Sequence, residues 1–151
     1  MLQFRWSLTK TEDNYERQGT FWISTSAGDF PCRGWRDYPL SKLITCNSDI
    51  YNFIKTPYIM KRYLAFGPYY ILLDISLKDA LTIHFLRSYL PQPLEKLSPV
   101  VIPFFDFCKI VLETSRTLLE TYHLEKLGTP IELESLKHAM ELLSSMLPRD
   151  Q

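Results

Sequence analysis

The stretch that decides the fold is Lys61–Arg87, KRYLAFGPYYILLDISLKDALTIHFLR. Its middle part, Tyr69–Ile75, is apolar on both alternating sides as far as Leu73, which is typical of a strand covered on both faces. Gly67-Pro68 before it has the composition of a tight turn. We predict three antiparallel strands here, Arg62–Phe66, Tyr69–Ile75 and Ala80–Arg87, at the centre of a sheet.

One part of this stretch also fits a helix. Ser76 and Asp79 match the spacing of a helix-capping box, which would make Leu77–Leu90 helical. Thr82, Ile83 and Phe85 are residue types that favour a pleated strand instead. The sequence alone leaves both structures open for Leu77–Leu90.

The N-terminal segment predicts a second pair of strands. Leu2, Phe4, Trp6 and Leu8 alternate with polar residues, as expected of a half-buried strand. The β-branched and aromatic residues of Thr20–Thr25 predict its hairpin partner, and the polar residues 11–19 predict a turn or a mobile loop between them. Residues 30–32 predict a short third strand.

Three helices are predicted in the remainder. Asp37 is placed to cap a first helix that begins near Pro39, and Thr56-Pro57 should end it. Asn47-Ser48-Asp49 leaves the length of that helix open. Apolar residues recur at threes and fours from Pro103 to Gly128 and again from Pro130 to Pro148, which predicts two antiparallel C-terminal helices.

Together these elements predict an α+β fold: an antiparallel sheet of about five strands, an inserted helix, and a C-terminal antiparallel helix pair packed on one face. The 151 residues suit a single domain, residues 1–151. Seventeen basic residues balance seventeen acidic ones, which argues against nucleic acid as a partner. We predict neither a secretory signal nor a membrane span, and three cysteines without a CxxC pair favour the cytoplasm.

The residues that could support catalysis are few. Cys32, beside Arg33 in a polar loop, is the best candidate for a reactive thiol, and His84 is the other side chain that a small hydrolase or transferase could use. His123 and His138 could meet across the helix hairpin, but two ligands do not make a metal site. No phosphate-binding or dinucleotide-binding motif occurs. We therefore predict a protein that is not an enzyme and that holds no cofactor and no metal.

The tetrad Trp35-Arg36-Asp37-Tyr38 is rich in residue types that dominate protein interfaces. Trp35, Arg36 and Tyr38 are therefore candidate partner-binding residues. The alternative is structural: the two rings would close the end of the sheet, and Asp37 would cap the helix. A peptide-binding adaptor that adds a strand to an exposed sheet edge is a further functional alternative.

A family resemblance accompanies these motifs. An N-terminal β-hairpin, Phe30-Pro31, the tetrad preceded by Gly34, the turn Phe66-Gly67-Pro68-Tyr69 and a closing helix pair occur in an order that resembles small bacterial immunity proteins of contact-dependent and other polymorphic toxin systems. The resemblance implies a cytoplasmic protein that binds and neutralises one cognate toxin domain. It implies no catalytic residues.

Many toxins that cut nucleic acid are basic, so an inhibitor of that kind would offer carboxylates. The acidic candidates lie in two places. Glu12, Asp13 and Glu16 fall in the first predicted turn, and Glu113 and Glu120 fall on the long C-terminal helix. Ordinary solvated positions are the alternative interpretation for all five.

Overall fold

The alternating apolar residues of this chain build two antiparallel sheets. The structure, a computed structural model, describes residues 2–10, 15–56, 58–76, 79–87, 97–125 and 130–148. Within these ranges the chain forms, in order, β1 Leu2–Lys10, β2 Tyr15–Thr25, β3 Gly28–Phe30, β4 Arg36–Asp37, α1 Pro39–Lys55, β5 Lys61–Phe66, β6 Tyr69–Asp74, β7 Ala80–Leu86, β8 Val100–Pro103, α2 Phe104–Glu125 and α3 Pro130–Ser145. The predicted α+β class is confirmed.

The first sheet has the order β1-β2-β3, and β4 also pairs with β2. β1 and β2 are antiparallel, with Leu2 opposite Thr25 and Phe4 opposite Ile23. This register places the buried residues of both strands on one face, as the period of two predicts. β2 begins at Tyr15, so the prediction of a turn through residue 19 was wrong from Tyr15 onward.

The second sheet has the order β5-β6-β7-β8 and contains the three predicted strands, of which β6 and β7 are central whereas β5 lies at the edge. Ala80–Leu86 is a strand that pairs with both β6 and β8, so the helical alternative was wrong for these residues. Residues 77–78 and 88–90 lie outside the described part. β8 was not predicted, because four residues ending in proline carry little strand signal and belong at a sheet edge.

The three helices occur where the sequence predicts them. α1 continues through Asn47-Ser48-Asp49, because the Nδ2 of Asn47 donates to the carbonyl oxygen of Leu43 within the same helix at 2.8 Å. Tyr38, not Asp37, occupies the N-cap position of α1 and makes no side-chain capping hydrogen bond, so that detail of the prediction was wrong. Asp37 accepts the backbone N–H of Tyr38 at 2.8 Å instead. α2 and α3 pack together as predicted, and α3 also lies along α1.

Phenylalanine rings join the two sheets. The ring of Phe21 in β2 stacks on that of Phe66 in β5, with centroids 6.1 Å apart. Phe30 in β3 lies 5.8 Å from Phe66 and 5.0 Å from Phe85 in β7. The buried residues of both sheets and all three helices form one apolar cluster. The high aromatic content predicted from composition is therefore used mainly in this core.

Candidate protein-binding surface

Helix α2 is buried along one side only. Its buried residues recur at threes and fours, and include Phe107, Cys108, Val111, Ser115, Leu118 and Tyr122. This spacing turns one stripe of the helix toward the core and leaves the opposite side at the surface. Open grooves lie on both sides of that exposed stripe.

The first groove lies between α2 and α3 and is called the helix groove. It has a volume of about 620 Å³, and its lining includes the apolar side chains of Leu112, Leu119 and Met140. Lys109, Glu113, Arg116, Lys137, Glu141 and Ser144 complete the lining. An apolar floor with charged walls is the usual composition of a protein-binding groove.

The second groove lies between β1 and α2 and is called the strand groove. It has a volume of about 600 Å³. Residues 2–6 of β1 form one wall, and the other wall comprises Lys109, Ile110, Glu113, Thr114 and Thr117. These helical positions follow the spacing of one helix face, so a single face of α2 runs beside the strand.

Glu113 lies between the two grooves and lines both of them. Its carboxylate forms an ion pair with Arg116, one turn further along α2. Glu120 is exposed on the same helix and is not among the lining residues of either groove. The structure thus places one of the two predicted acidic residues of α2 at the grooves.

Both signs of charge occur around the grooves. Arg5, Lys109, Arg116 and Lys137 are basic, whereas Glu113 and Glu141 are acidic. The expectation of an acidic face therefore does not describe the surroundings of Glu113. A mixed surface of this kind selects partners by the positions of charges as well as by shape.

The tetrad residues occupy different environments. Trp35 is half-buried and makes an edge-on contact with Tyr69, with ring centroids 5.5 Å apart. Its indole nitrogen is buried and has no hydrogen-bond partner within the described part of the chain. Arg36 is exposed and its Nη2 donates to Gln18 Oε1 at 3.3 Å. The packing of Trp35 matches the structural interpretation of that residue, while Arg36 remains at the surface.

Tyr38 is 51% exposed at the start of α1. It borders a smaller cavity of about 320 Å³ that is also lined by Leu40, Ser41, Tyr122 and Glu132. Burial, and then the nearby charge of Glu132, raises the pKa of Tyr122. Tyr38 thus contributes an exposed ring beside Tyr122, near the C-terminal end of α2.

The three acidic candidates of the first predicted turn are not placed at a site. Glu12 and Asp13 lie outside the described residues. Glu16 lies in β2, and its side chain is not described.

The cysteine and histidine candidates lie in separate elements. Cys32 is exposed, whereas Cys46 and Cys108 are buried, and burial raises the pKa of each buried thiol to about 12. His84 lies in β7 opposite Leu72 of β6. Among the residues that the structure describes, no group of three metal-ligating side chains comes together. No helix in the described ranges is both long and apolar enough to cross a membrane.

Sequence reasoning missed most of the groove-lining residues. Lys109, Arg116, Lys137 and Glu141 lie at ordinary surface positions of helices, which carry no local signal of a groove. The strand groove joins Leu2 to Thr117, which are more than a hundred positions apart in sequence. Only the packing of β1 beside α2 creates it.

Comparison with known proteins gives no relative. No family model matches the chain, and no curated protein and no solved structure matches it significantly.

Proposed function

We propose that this protein acts by binding another protein through the exposed side of α2 together with its two flanking grooves, here called the α2 surface. The observation that carries the proposal is the position of Glu113. Its ion pair with Arg116 forms a charged ridge between two open grooves of about 620 and 600 Å³. A ridge and two apolar-lined grooves give a partner both shape and charge to match.

The resemblance to immunity proteins supplies the class of partner. In this proposal the partner is the folded domain of a cognate bacterial toxin, and binding blocks the toxin inside the cell that makes both proteins. Such a protein needs a stable scaffold and a complementary surface. The shared apolar core and the α2 surface are suited to those two needs.

The balance of charges around α2 bears on which toxins fit. Salt bridges and apolar contacts would both contribute, because Leu112, Leu119 and Met140 lie among the charged residues of the helix groove. The proposal therefore does not require a strongly basic toxin. It requires a partner with apolar side chains that enter the grooves and charges that match the ridge.

Two adjacent serines of α3 provide the test. Both serines are exposed, but Ser144 lines the helix groove and Ser145 does not. Ser144→Arg should place a long charged side chain in the groove and weaken binding to the toxin domain encoded beside this gene by at least about tenfold. Ser145→Arg adds the same side chain outside the groove and should leave binding within about twofold.

The measurements are the affinity for that toxin domain and the survival of cells that express it. Protection by the wild type and by Ser145→Arg, but not by Ser144→Arg, would support the proposal. Equal protection by both variants would show that the helix groove is not part of the binding surface. No toxin bound by the tagged wild type, together with no protection of cells, would overturn the immunity function.

A further inference from the structure

β1 is an edge strand of the first sheet. It pairs with β2 along one side, and no other strand in the described part of the chain pairs with it. The backbone N–H and C=O groups on the other side of an edge strand lack a ladder partner and form a template for another strand.

The N–H of Phe21 donates to the carbonyl oxygen of Trp35 at 2.8 Å, so the backbone of Phe21 faces away from β1. Phe21 lies opposite Trp6 in the β1–β2 register. In an antiparallel ladder, residues whose backbone groups face away from each other form a pair without hydrogen bonds. The N–H and C=O of Trp6 therefore face the free edge.

The alternation of the ladder gives the same direction to Phe4, two residues before Trp6. Ile23, opposite Phe4, lies two residues after Phe21 on β2, so the same alternation turns its backbone groups toward β3. Gln3, Arg5 and Ser7 are then the residues that bond to β2. The free edge thus offers the backbone of alternate residues, Leu2, Phe4 and Trp6.

This edge borders the strand groove, because Leu2–Trp6 is one of its walls. The opposite wall contributes Thr114 and Thr117, whose hydroxyls donate to the carbonyl oxygens of Ile110 and Glu113 at 2.8 and 2.9 Å. Both hydroxyls are thus already bonded within the helix. A strand edge on one side and a helix wall on the other match the mode in which an extended peptide adds a strand to a sheet.

The charges of the strand groove indicate the chemistry of the segment. Arg5 is exposed, and among the described residues it has no ion-pair partner. The one carboxylate of the lining, that of Glu113, is paired with Arg116. The groove therefore complements an acidic residue.

We propose that the free edge of β1 binds an extended segment of a partner protein, in which apolar residues alternate with polar ones and at least one residue is acidic. The segment would hydrogen-bond to the backbone of Phe4 and Trp6 and run between β1 and α2. The inference rests on the proposed function only in that the partner is a protein. It adds to that function the kind of segment that binds in the strand groove.

The probe is a phage-displayed library of random peptides about six residues long, the usual length of a strand. Selection on the wild-type protein should enrich peptides that carry an acidic residue among alternating apolar ones. Thr117→Arg blocks the groove and should weaken the selected peptides by at least about tenfold. Thr121→Arg is the matched control, because Thr121 bonds to its own helix in the same way and does not line the groove.

Arg5→Glu should weaken the same peptides, since it reverses the charge that attracts their acidic residue. Circular dichroism and thermal unfolding of each variant should match those of Thr121→Arg, which would exclude a folding defect as the cause. Hydrogen exchange then identifies the contact. The amides of Phe4 and Trp6 should exchange at least about tenfold more slowly when a selected peptide is bound, whereas those of Arg5 and Ser7 should change little because β2 already protects them.

Three results would overturn the inference: no enrichment of peptides, equal binding to Thr117→Arg and Thr121→Arg, or slowed exchange at other amides only. Each result can be told apart from a failure of the immunity function. Toxin neutralisation that depends on Ser144, together with no enrichment of peptides, would retain the proposed function and reject strand addition. Peptide binding without any toxin partner would retain strand addition and reject the immunity function.

Discussion

The Nδ2 of Asn47 in α1 donates a hydrogen bond to the Oγ of Ser115 in α2 at 2.9 Å, and both residues are fully buried. Ser115 in turn donates to the carbonyl oxygen of Val111 at 2.8 Å. The Oδ1 of Asn47 is buried and has no hydrogen-bond partner within the described part of the chain. This pair fixes the position of α1 against the helix that carries the proposed binding surface, since a buried polar group must keep its partner.

Ser115→Ala should lower the free energy of unfolding by about 1–2 kcal/mol, because it removes the acceptor of a buried amide. Ser135→Ala is the control: Ser135 makes the same bond to its own helix, at 2.9 Å, but is exposed. Both changes raise helix propensity equally, so their difference isolates the buried bond. Urea unfolding measures it, and equal stability of the two variants would show that the bond contributes nothing.

The contacts of Lys42 lead to a second prediction. Its Nζ lies 3.4 Å from Asp37 Oδ2, donates to the carbonyl oxygen of Ala65, and lies 4.8 Å from the ring centre of Phe66. The side chains of Lys42 and Asp37 keep only 14% and 12% of their exposure. One ammonium group thus joins the start of α1 to both sheets.

Lys42→Met should therefore cost about 1–3 kcal/mol of unfolding free energy, because it leaves the carboxylate of Asp37 largely buried without its cation. Lys137→Met is the comparison, since Lys137 pairs with Glu134 at 3.3 Å where both side chains are more exposed. That change should cost less than about 0.5 kcal/mol. Thermal unfolding at low and high salt would check the order, and a smaller effect at Lys42 than at Lys137 would contradict it.

Gly67 and Gly34 provide a matched pair of backbone positions. Both have positive φ, +60° and +73°, at which an L side chain is strained. A Cβ at Gly67 would also lie 2.9 Å from Cζ2 of Trp35, whereas nothing lies within 4 Å of a Cβ at Gly34. Gly34→Ala should cost about 1 kcal/mol, from strain alone. Gly67→Ala should cost at least about 2 kcal/mol in the same denaturation assay, because the indole must also move. Equal losses of unfolding free energy in the two variants would mean that the indole of Trp35 moves without an energetic cost.

The buried thiols predict how stability changes in alkali. The folded protein holds the pKa of Cys46 and of Cys108 at about 12, above the ordinary value of 9.0. Below about pH 9 both states keep the proton, and stability is unaffected. Above it the unfolded chain releases protons that the folded chain retains. Stability should then fall by up to about 1.4 kcal/mol per pH unit for each thiol until the folded pKa is passed.

Urea unfolding between about pH 8 and about pH 10.5 tests this slope. Cys46→Ala should lower stability overall, because it leaves a cavity, but should make its decline with pH shallower than in the wild type. Cys108→Ala should make the decline shallower in the same way, because burial raises the pKa of the Cys108 thiol too. Parallel slopes for the wild type and Cys46→Ala would show that this thiol does not stay protonated when folded.

Local patterns were sufficient for most of the secondary structure. The alternation Leu2-Phe4-Trp6 predicted β1, and the residues of β6 predicted a central strand, because each pattern is set by neighbours in the chain. The pattern was misleading at Tyr15–Gly19, where polar residues belong to the long strand β2. Pairing with β1 and β4 there supplies order that composition alone did not indicate.

The candidate site was less accessible to such reasoning. Of the predicted residues, Glu113 lines the two grooves, and Tyr38 borders a separate cavity. Neither groove has a motif, because each is a gap between elements and not a property of one segment. The free backbone edge at Phe4 and Trp6 likewise follows from the register with β2, which the residues of β1 do not specify.

The sequence by itself determined that this chain forms strands early, helices late and an apolar core rich in rings, since periods of two and of three to four residues are encoded locally. Only the tertiary structure decided that the strands divide into two sheets, joined through Phe21 and Phe66, and that β1 lies beside α2 with one edge open. The reason is physical: period tells a strand which face to bury, but the neighbour that covers that face is chosen by packing across the whole chain.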